Sequence, residues 1–266
     1  MNLDTLLYDK RADGVAVLTL NRVARHNAIN GVMSRELPRV WGDIERDPDV
    51  RCVVVTGAGE ASFCTGADLT DFVLDGAALG DAGATGAAAL RFTSLQNGCW
   101  KPVITAVNGY CCGGGLHFVA DSDLVLCSEN ATFFDTHVKV GLVAGMEPVG
   151  LARRIPLEAV LRMALLGGAE RMDAGEALRL GLVGEVVARD RLLPRALDLA
   201  GKIARHSPTA LARTKRAIWH SLEVGLTTAL DHAWQLIEAH KDHPDMREGA
   251  LAFAEKRAPR WARYGE

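Results

Sequence analysis

Lys101-Pro102-Val103-Ile104-Thr105-Ala106-Val107-Asn108-Gly109-Tyr110-Cys111-Cys112-Gly113-Gly114-Gly115-Leu116-His117 reads as a strand, a turn and the start of a helix in quick succession. The run Pro102–Val107 is a buried strand, stopped at Asn108-Gly109. The three glycines then lead into a helix that is predicted to reach about Ala120. At such an N-terminus the first backbone N–H groups lack intrahelical acceptors, and the helix dipole favours negative charge. A second stretch, Gly57-Ala58-Gly59-Glu60-Ala61-Ser62-Phe63-Cys64-Thr65-Gly66-Ala67-Asp68-Leu69, follows the buried strand Arg51–Thr56 in the same way. Two backbone donors from such segments, facing one another, make an oxyanion hole for a carbonyl oxygen that gains charge. Glycines after strands also serve as plain turns, so both readings stand. Neither stretch is a dinucleotide fingerprint, because Ser62 occupies the place of its third glycine, and no phosphate-binding Gly-Lys-Ser/Thr or Gly-x-Ser-x-Gly elbow occurs.

Around these stretches the first half of the chain alternates strand and helix signals. Val15–Leu20 and Asp123–Cys127 are further strands. Met33–Arg46 has Leu37, Val40, Trp41 and Ile44 at helical spacing and ends before Asp47-Pro48. The Gly- and Ala-rich segment 76–89 is expected to be a loop leading into a helix over Ala87–Gly98. After Glu147 helices dominate, over Val149–Arg154, Leu157–Leu166, Ala174–Leu180, Leu192–Arg205, Pro208–Leu222, Thr227–His240 and Pro244–Arg257, with one strand at Leu182–Val187. The fold class is therefore α/β, with a mostly helical C-terminal part and no linker composition between the two.

A formal net charge of -3 gives no basic excess, which argues against a nucleic-acid partner. No apolar run is long enough to span a membrane, and none forms the core of a signal peptide, so the protein is expected in the cytoplasm. The 6 cysteines include no C-x-x-C pair, so buried, reduced thiols are expected, with no metal site.

Several of these segments together resemble the crotonase superfamily, also called the enoyl-CoA hydratase/isomerase family. Asn21-Arg22 with His26-Asn27-Ala28-Ile29-Asn30 is similar to its first loop motif, with Val23 where the family has proline. Ser62–Leu69 is similar to its F-[CS]-[AS]-G-x-D-[LI] motif, and Lys101–Gly115 to its second glycine motif. Ala174–Val187 resembles a third segment, and Glu248-Gly249 with Ala252–Arg257 and Pro259 resembles its tail. The resemblance implies a crotonase-type spiral of ββα turns over residues 1–195, carrying an acyl-CoA site. A helical oligomerisation region over 196–266 would build a homotrimer or hexamer. It implies an acyl-CoA substrate and no separate cofactor, coenzyme A being part of the substrate. The N–H groups of Ala67 and Gly114 would hold the thioester oxygen. Arg25, Asn27, Ala28, Ala67, Asp68, Leu69 and Thr70 would line the CoA arm. Phe253 and Lys256 would meet its nucleotide end, from the same subunit or a neighbouring one.

The sequence departs from the hydratase pattern at the two glutamates of that pattern. His117 stands two residues after the triple glycine, and His137 stands in the segment Phe133–Leu142. An imidazole with an ordinary pKa near ~6.5 suits proton transfer at neutral pH. The dipole of the helix that follows the glycines is expected to favour a neutral His117 ring. The alternative is that both rings only fill space and hydrogen-bond each other. Glu147 is a candidate replacement carboxylate, and Asp135 shares a strand face with His137. Two functions follow: an enzyme acting on an acyl-CoA through a stabilised enolate, by hydration or a specialised crotonase reaction such as isomerisation, hydrolysis or C–C cleavage; or a non-catalytic acyl-CoA-binding oligomer.

Overall fold

The computed structural model describes residues 1–74 and 86–265. Two sheets organise the chain. The larger has strands β1 (Leu6–Lys10), β2 (Val15–Leu20), β3 (Cys52–Gly57), β5 (Val103–Val107), β7 (Leu124–Ser128) and β10 (Glu185–Val187), side by side in that order. The smaller has β4 (Ser62–Cys64), β6 (Tyr110–Cys112), β8 (Thr132–Phe134) and β9 (Met172–Asp173). All pairings are parallel except β1 with β2 and β8 with β9. The pairs β3–β4, β5–β6 and β7–β8 repeat one step: a strand in the large sheet, a turn, then a three-residue strand in the small one that leads into a corner. Stacked on one another, these steps form two mostly parallel sheets in the α/β class that the sequence led us to expect.

The helices are α1 (Gly31–Arg46), α2 (Leu69–Leu74), α3 (Leu116–Ala120), α4 (Met146–Leu151), α5 (Leu157–Leu165), α6 (Ala174–Leu180), α7 (Arg189–Ala204), α8 (Pro208–His220), α9 (Leu226–Glu238) and α10 (Pro244–Ala254). Helix α1 starts at Gly31 because the Asn30 side chain caps it, accepting from Met33 N at 3.0 Å. Met33, Leu37, Val40, Trp41 and Ile44 of α1 enter the main core with Leu18, Leu20, Val53 and Val55. Cys52 and Val54, on the opposite face of β3, pack under Leu192, Ala196, Ala200 and Ala204 of α7. Burial on both faces explains the uninterrupted apolar run of this parallel strand. The division drawn at 195/196 therefore falls inside α7, and its alanine face keeps the whole helix with the sheet.

The helix expected over 87–98 does not form, and residues 76–85 of the preceding loop lie outside the described residues. Two short 3-10 turns, Gly86–Ala89 and Leu95–Asn97, stand in its place. The reason is local competition for backbone groups. Gln96 Oε1 accepts from Phe92 N at 2.8 Å and Thr93 N at 3.3 Å. Asn97 Nδ2 donates to the carbonyls of Arg91 at 2.9 Å and Thr93 at 2.8 Å. Trp41 Nε1 pins the same segment by donating to Phe92 O at 2.8 Å.

Helices α8 and α9 pack on each other, and α8 is tied to the N-terminal ends of the interior strands β5 and β7. Lys215 donates to the Lys101 carbonyl at 2.9 Å and pairs with Asp123 at 2.9 Å. No helix among the described residues is long and apolar enough to cross a membrane.

Candidate active site

Two consecutive steps of the stack bring their glycine-rich corners into contact. Ile29 N donates to Gly66 O at 2.7 Å, and Asp68 N donates to Ile29 O at 2.8 Å. In such a parallel bridge the N–H of the middle residue, Ala67, points away from Ile29. On that other side lies the second corner. Gly66 has φ +85°, and a Cβ added to it would come within 2.8 Å of Gly114 N. Only glycine tolerates both that backbone conformation and that approach. Gly114 is the second residue of the helical turn that begins after Cys112, where an N–H has no intrahelical acceptor.

Ala67 and Gly114 border a common cavity of about 340 Å³. Ile29, Leu90, Phe92, Val143 and Met146 supply apolar wall, and His117, His137 and Glu147 supply the ionisable groups. His117 sits in the first turn of α3 and is almost fully buried. Its Nε2 lies 3.2 Å from Glu147 Oε1, within ion-pair range but outside hydrogen-bond alignment. Its Nδ1 lies 3.1 Å from Gln96 Nε2. His137 follows β8, and its Nδ1 is 3.0 Å from both carboxylate oxygens of the fully buried Asp135. Asp135 also accepts from His137 N at 2.8 Å, which fixes the ring relative to its own backbone. His137 Nε2 is 4.0 Å from the same Oε1 of Glu147. The two rings do not bond to each other; Glu147 stands between them, each ring having its own second partner.

The hydrogen bond that the His137 ring donates to Asp135 raises the His137 pKa above its ordinary value, against the opposing effect of burial. Burial pushes Glu147 upward, but the imidazoles of His117 and His137 outweigh it and leave the carboxyl below its usual range. Its place in the first turn of α4 also favours the charged form.

The remaining residues read from the sequence are arranged around the first corner. Asp68 is buried and pairs with Arg22 at 3.0 Å and Arg25 at 3.1 Å. Burial opposes its ionisation, but the two guanidinium groups hold its pKa at about 2. Asn27 is buried and fully engaged: it accepts from Arg22 N at 2.9 Å and donates to Ala58 O and Ser62 O, each at 2.9 Å. Its side chain braces the loop. Ala28 is buried beside it, and its backbone carbonyl accepts from the Arg22 guanidinium. Arg25, Leu69 and Thr70 are exposed, and Arg25 donates to Thr70 Oγ1 at 2.9 Å. Phe253, 89% exposed near the end of α10, and Lys256 just beyond it do not line the cavity. Gln96 and Phe92 are contributors that no sequence motif marks; they come from the segment where the helix pattern fails.

Successive strand–turn–strand steps, with a cavity lined by residues of two adjoining corners, define an α/β protein of the crotonase type. The chain belongs to the enoyl-CoA hydratase/isomerase family, whose model matches residues 10–264. It is 36% identical over 254 residues to (E)-benzylidenesuccinyl-CoA hydratase of Thauera aromatica, covering 92% of this chain and 94% of that protein. It is 34% identical to short-chain-enoyl-CoA hydratase of Clostridium acetobutylicum, covering 97% of each. The crystal structure of an enoyl-CoA hydratase/isomerase from Mycobacterium paratuberculosis superposes with a TM-score of 0.87 at 39% identity, covering 98% of this chain and 99% of that one.

Proposed function

We propose that the protein is a lyase that adds water to, or removes it from, the α,β position of an acyl-CoA thioester. The N–H groups of Ala67 and Gly114 hold the thioester oxygen as it gains enolate character, and Glu147 moves the proton between water and substrate. His117 and His137 flank that carboxylate in place of the paired glutamates of the hydratase pattern. The observation that carries this reading is the shared cavity: two main-chain donors from distant segments border the same space as a buried, ionised carboxylate. Preorganised donors at a developing oxyanion are worth about 10²–10³ in rate each. A positioned acid–base group adds about 10²–10⁴. The two hydratase relatives, at 36 and 34% identity, support the reaction class. The ligand brings coenzyme A with it, and no other cofactor enters the scheme.

The same reading makes the chain a homo-oligomer, a trimer or hexamer, that acts in the cytoplasm. The exposed apolar face of α9 supports assembly. The test is a panel of 2-enoyl-CoA and 3-hydroxyacyl-CoA thioesters, followed by the absorbance of the conjugated thioester, beside direct binding of the same compounds. Turnover that disappears in Glu147→Gln supports the proposal. Tight binding without turnover across the panel makes the protein an acyl-CoA-binding oligomer instead.

A further inference from the structure

The orientation of the Gln96 amide is settled by its surroundings. Phe92 N–H and Thr93 N–H both point at one end of it, at 2.8 and 3.3 Å, so that end must be the oxygen. A flipped amide would set an NH₂ group against two N–H donors. The other end, 3.1 Å from His117 Nδ1, is therefore the NH₂ group, which can only donate. His117 Nδ1 must then accept, so the proton of the neutral ring lies on Nε2. This Nε2 is buried, has no aligned hydrogen-bond partner, and belongs to a residue on the cavity wall. His137 is held the opposite way. Asp135 accepts from its Nδ1, so the Nε2 of that ring carries the lone pair when neutral.

We infer that Gln96 is a positioning residue: through its amide it keeps neutral His117 in the Nε2–H form, as a hydrogen-bond donor opposite the acceptor nitrogen of His137. The inference rests on the acyl-CoA reading for its chemical use. There the two rings give the site a direction. His117 offers a proton-bearing nitrogen to an oxygen in the cavity, while Glu147 and His137 offer acceptors. Gln96 suits the role because its own segment is anchored. Trp41 holds Phe92 O, Asn97 bridges Arg91 O and Thr93 O, and Thr93 Oγ1 donates to Asp121 at 2.6 Å.

Gln96→Glu is the discriminating variant. Its side chain keeps an oxygen for the Phe92 and Thr93 amides, but presents an acceptor to His117 Nδ1. The ring is then expected to take the Nδ1–H or doubly protonated form. Nitrogen NMR of protein labelled with ¹⁵N-imidazole histidine reads this directly, with His117 assigned by its loss in His117→Gln. The parent is expected to show Nε2–H at His117, and Gln96→Glu a changed protonation pattern. In kinetics on an acyl-CoA, kcat is expected to fall about ten- to a hundred-fold with KM nearly unchanged. A parent His117 protonated at Nδ1, the same tautomer in both proteins, or an unaltered kcat in a protein that turns over acyl-CoA overturns the inference. Should Gln96→Glu fail to fold, the parent spectrum alone decides the tautomer. The NMR result needs no turnover, so an expected tautomer in a protein inactive on every thioester counts against the lyase reading and not against the role of Gln96.

Discussion

Oε1 of Glu147 lies 3.2 Å from Nε2 of His117, so the first turn of α4 sets a buried carboxylate beside the histidine of α3. Replacing Glu147 by Gln keeps the shape and removes the charge. The expected result is a kcat lower by about 10²–10⁴ with a KM within a few-fold of the parent, read by steady-state kinetics. A kcat close to that of the parent would take Glu147 out of the chemistry.

Gly66 separates the backbones that carry the two amides. Gly66→Ala places a side chain at φ +85° and puts its Cβ 2.8 Å from Gly114 N, a backbone atom that cannot rotate away. The left-handed conformation alone costs about 1–2 kcal/mol. The steric conflict is relieved only by moving one corner off the other. Activity is expected to fall by about 100-fold or more. Thermal unfolding should show only a modest drop in Tm. Full activity with a lowered Tm would mean that the relative position of the corners does not matter.

The ionisable cluster makes stability depend on pH in a defined window. The pKa of His137 is raised above 6.5 by Asp135, so its contribution is complete below that value and is lost as pH rises through the raised one. The pKa of Glu147 lies below 4.5: burial pushes it up, and the two imidazoles pull it further down. Its contribution is complete above 4.5 and is lost as pH falls through the lowered value. The cluster therefore stabilises most between about 4.5 and 6.5. Urea midpoints measured across pH should decline on both sides, and Asp135→Asn should flatten the alkaline side only.

Asn27 holds three backbone groups with one amide, at φ +57°, a conformation that Asn tolerates better than Ala. Asn27→Ala strands buried donors and acceptors in the first loop. A loss of about 2–4 kcal/mol is expected from denaturant unfolding. A change under about 0.5 kcal/mol, the range of ordinary surface substitutions, would remove this bracing role.

Leu226, Leu230, Trp234 and Ile237 form one face of α9 and are 76, 60, 61 and 57% exposed. Their spacing puts them in a single stripe. If this face is buried between subunits, Trp234→Glu should lower the mass measured by light scattering toward that of a monomer. An unchanged mass would move the contact elsewhere.

The legible parts of the sequence were those where one residue type has one physical reason. Glycines at 66 and 113–115 and the continuous apolar run of β5 announced the corners and the stack. The strands β4, β6 and β8 are three residues each, too short for any alternation to show. They form because the larger strands hold the corners parallel. Gln96 was invisible for a different reason. Its segment carries helix-like spacing, and only the tertiary bond from Trp41 and the side-chain bonds of Gln96 and Asn97 decide against a helix. Glu147 was readable as a candidate, but its meeting with both imidazoles depends on a fold that brings the start of α4 back over the second corner.

All six thiols are buried, and burial pushes each of them up, Cys112 to about 11. Thiolate is the form that alkylating reagents attack. In the folded chain the cysteines are thus silent toward iodoacetamide, and the rate at which each becomes labelled is a clock for how often its own layer opens. Cys111 and Cys112, on the strand that leads into the triple glycine, would time the opening of that glycine corner itself.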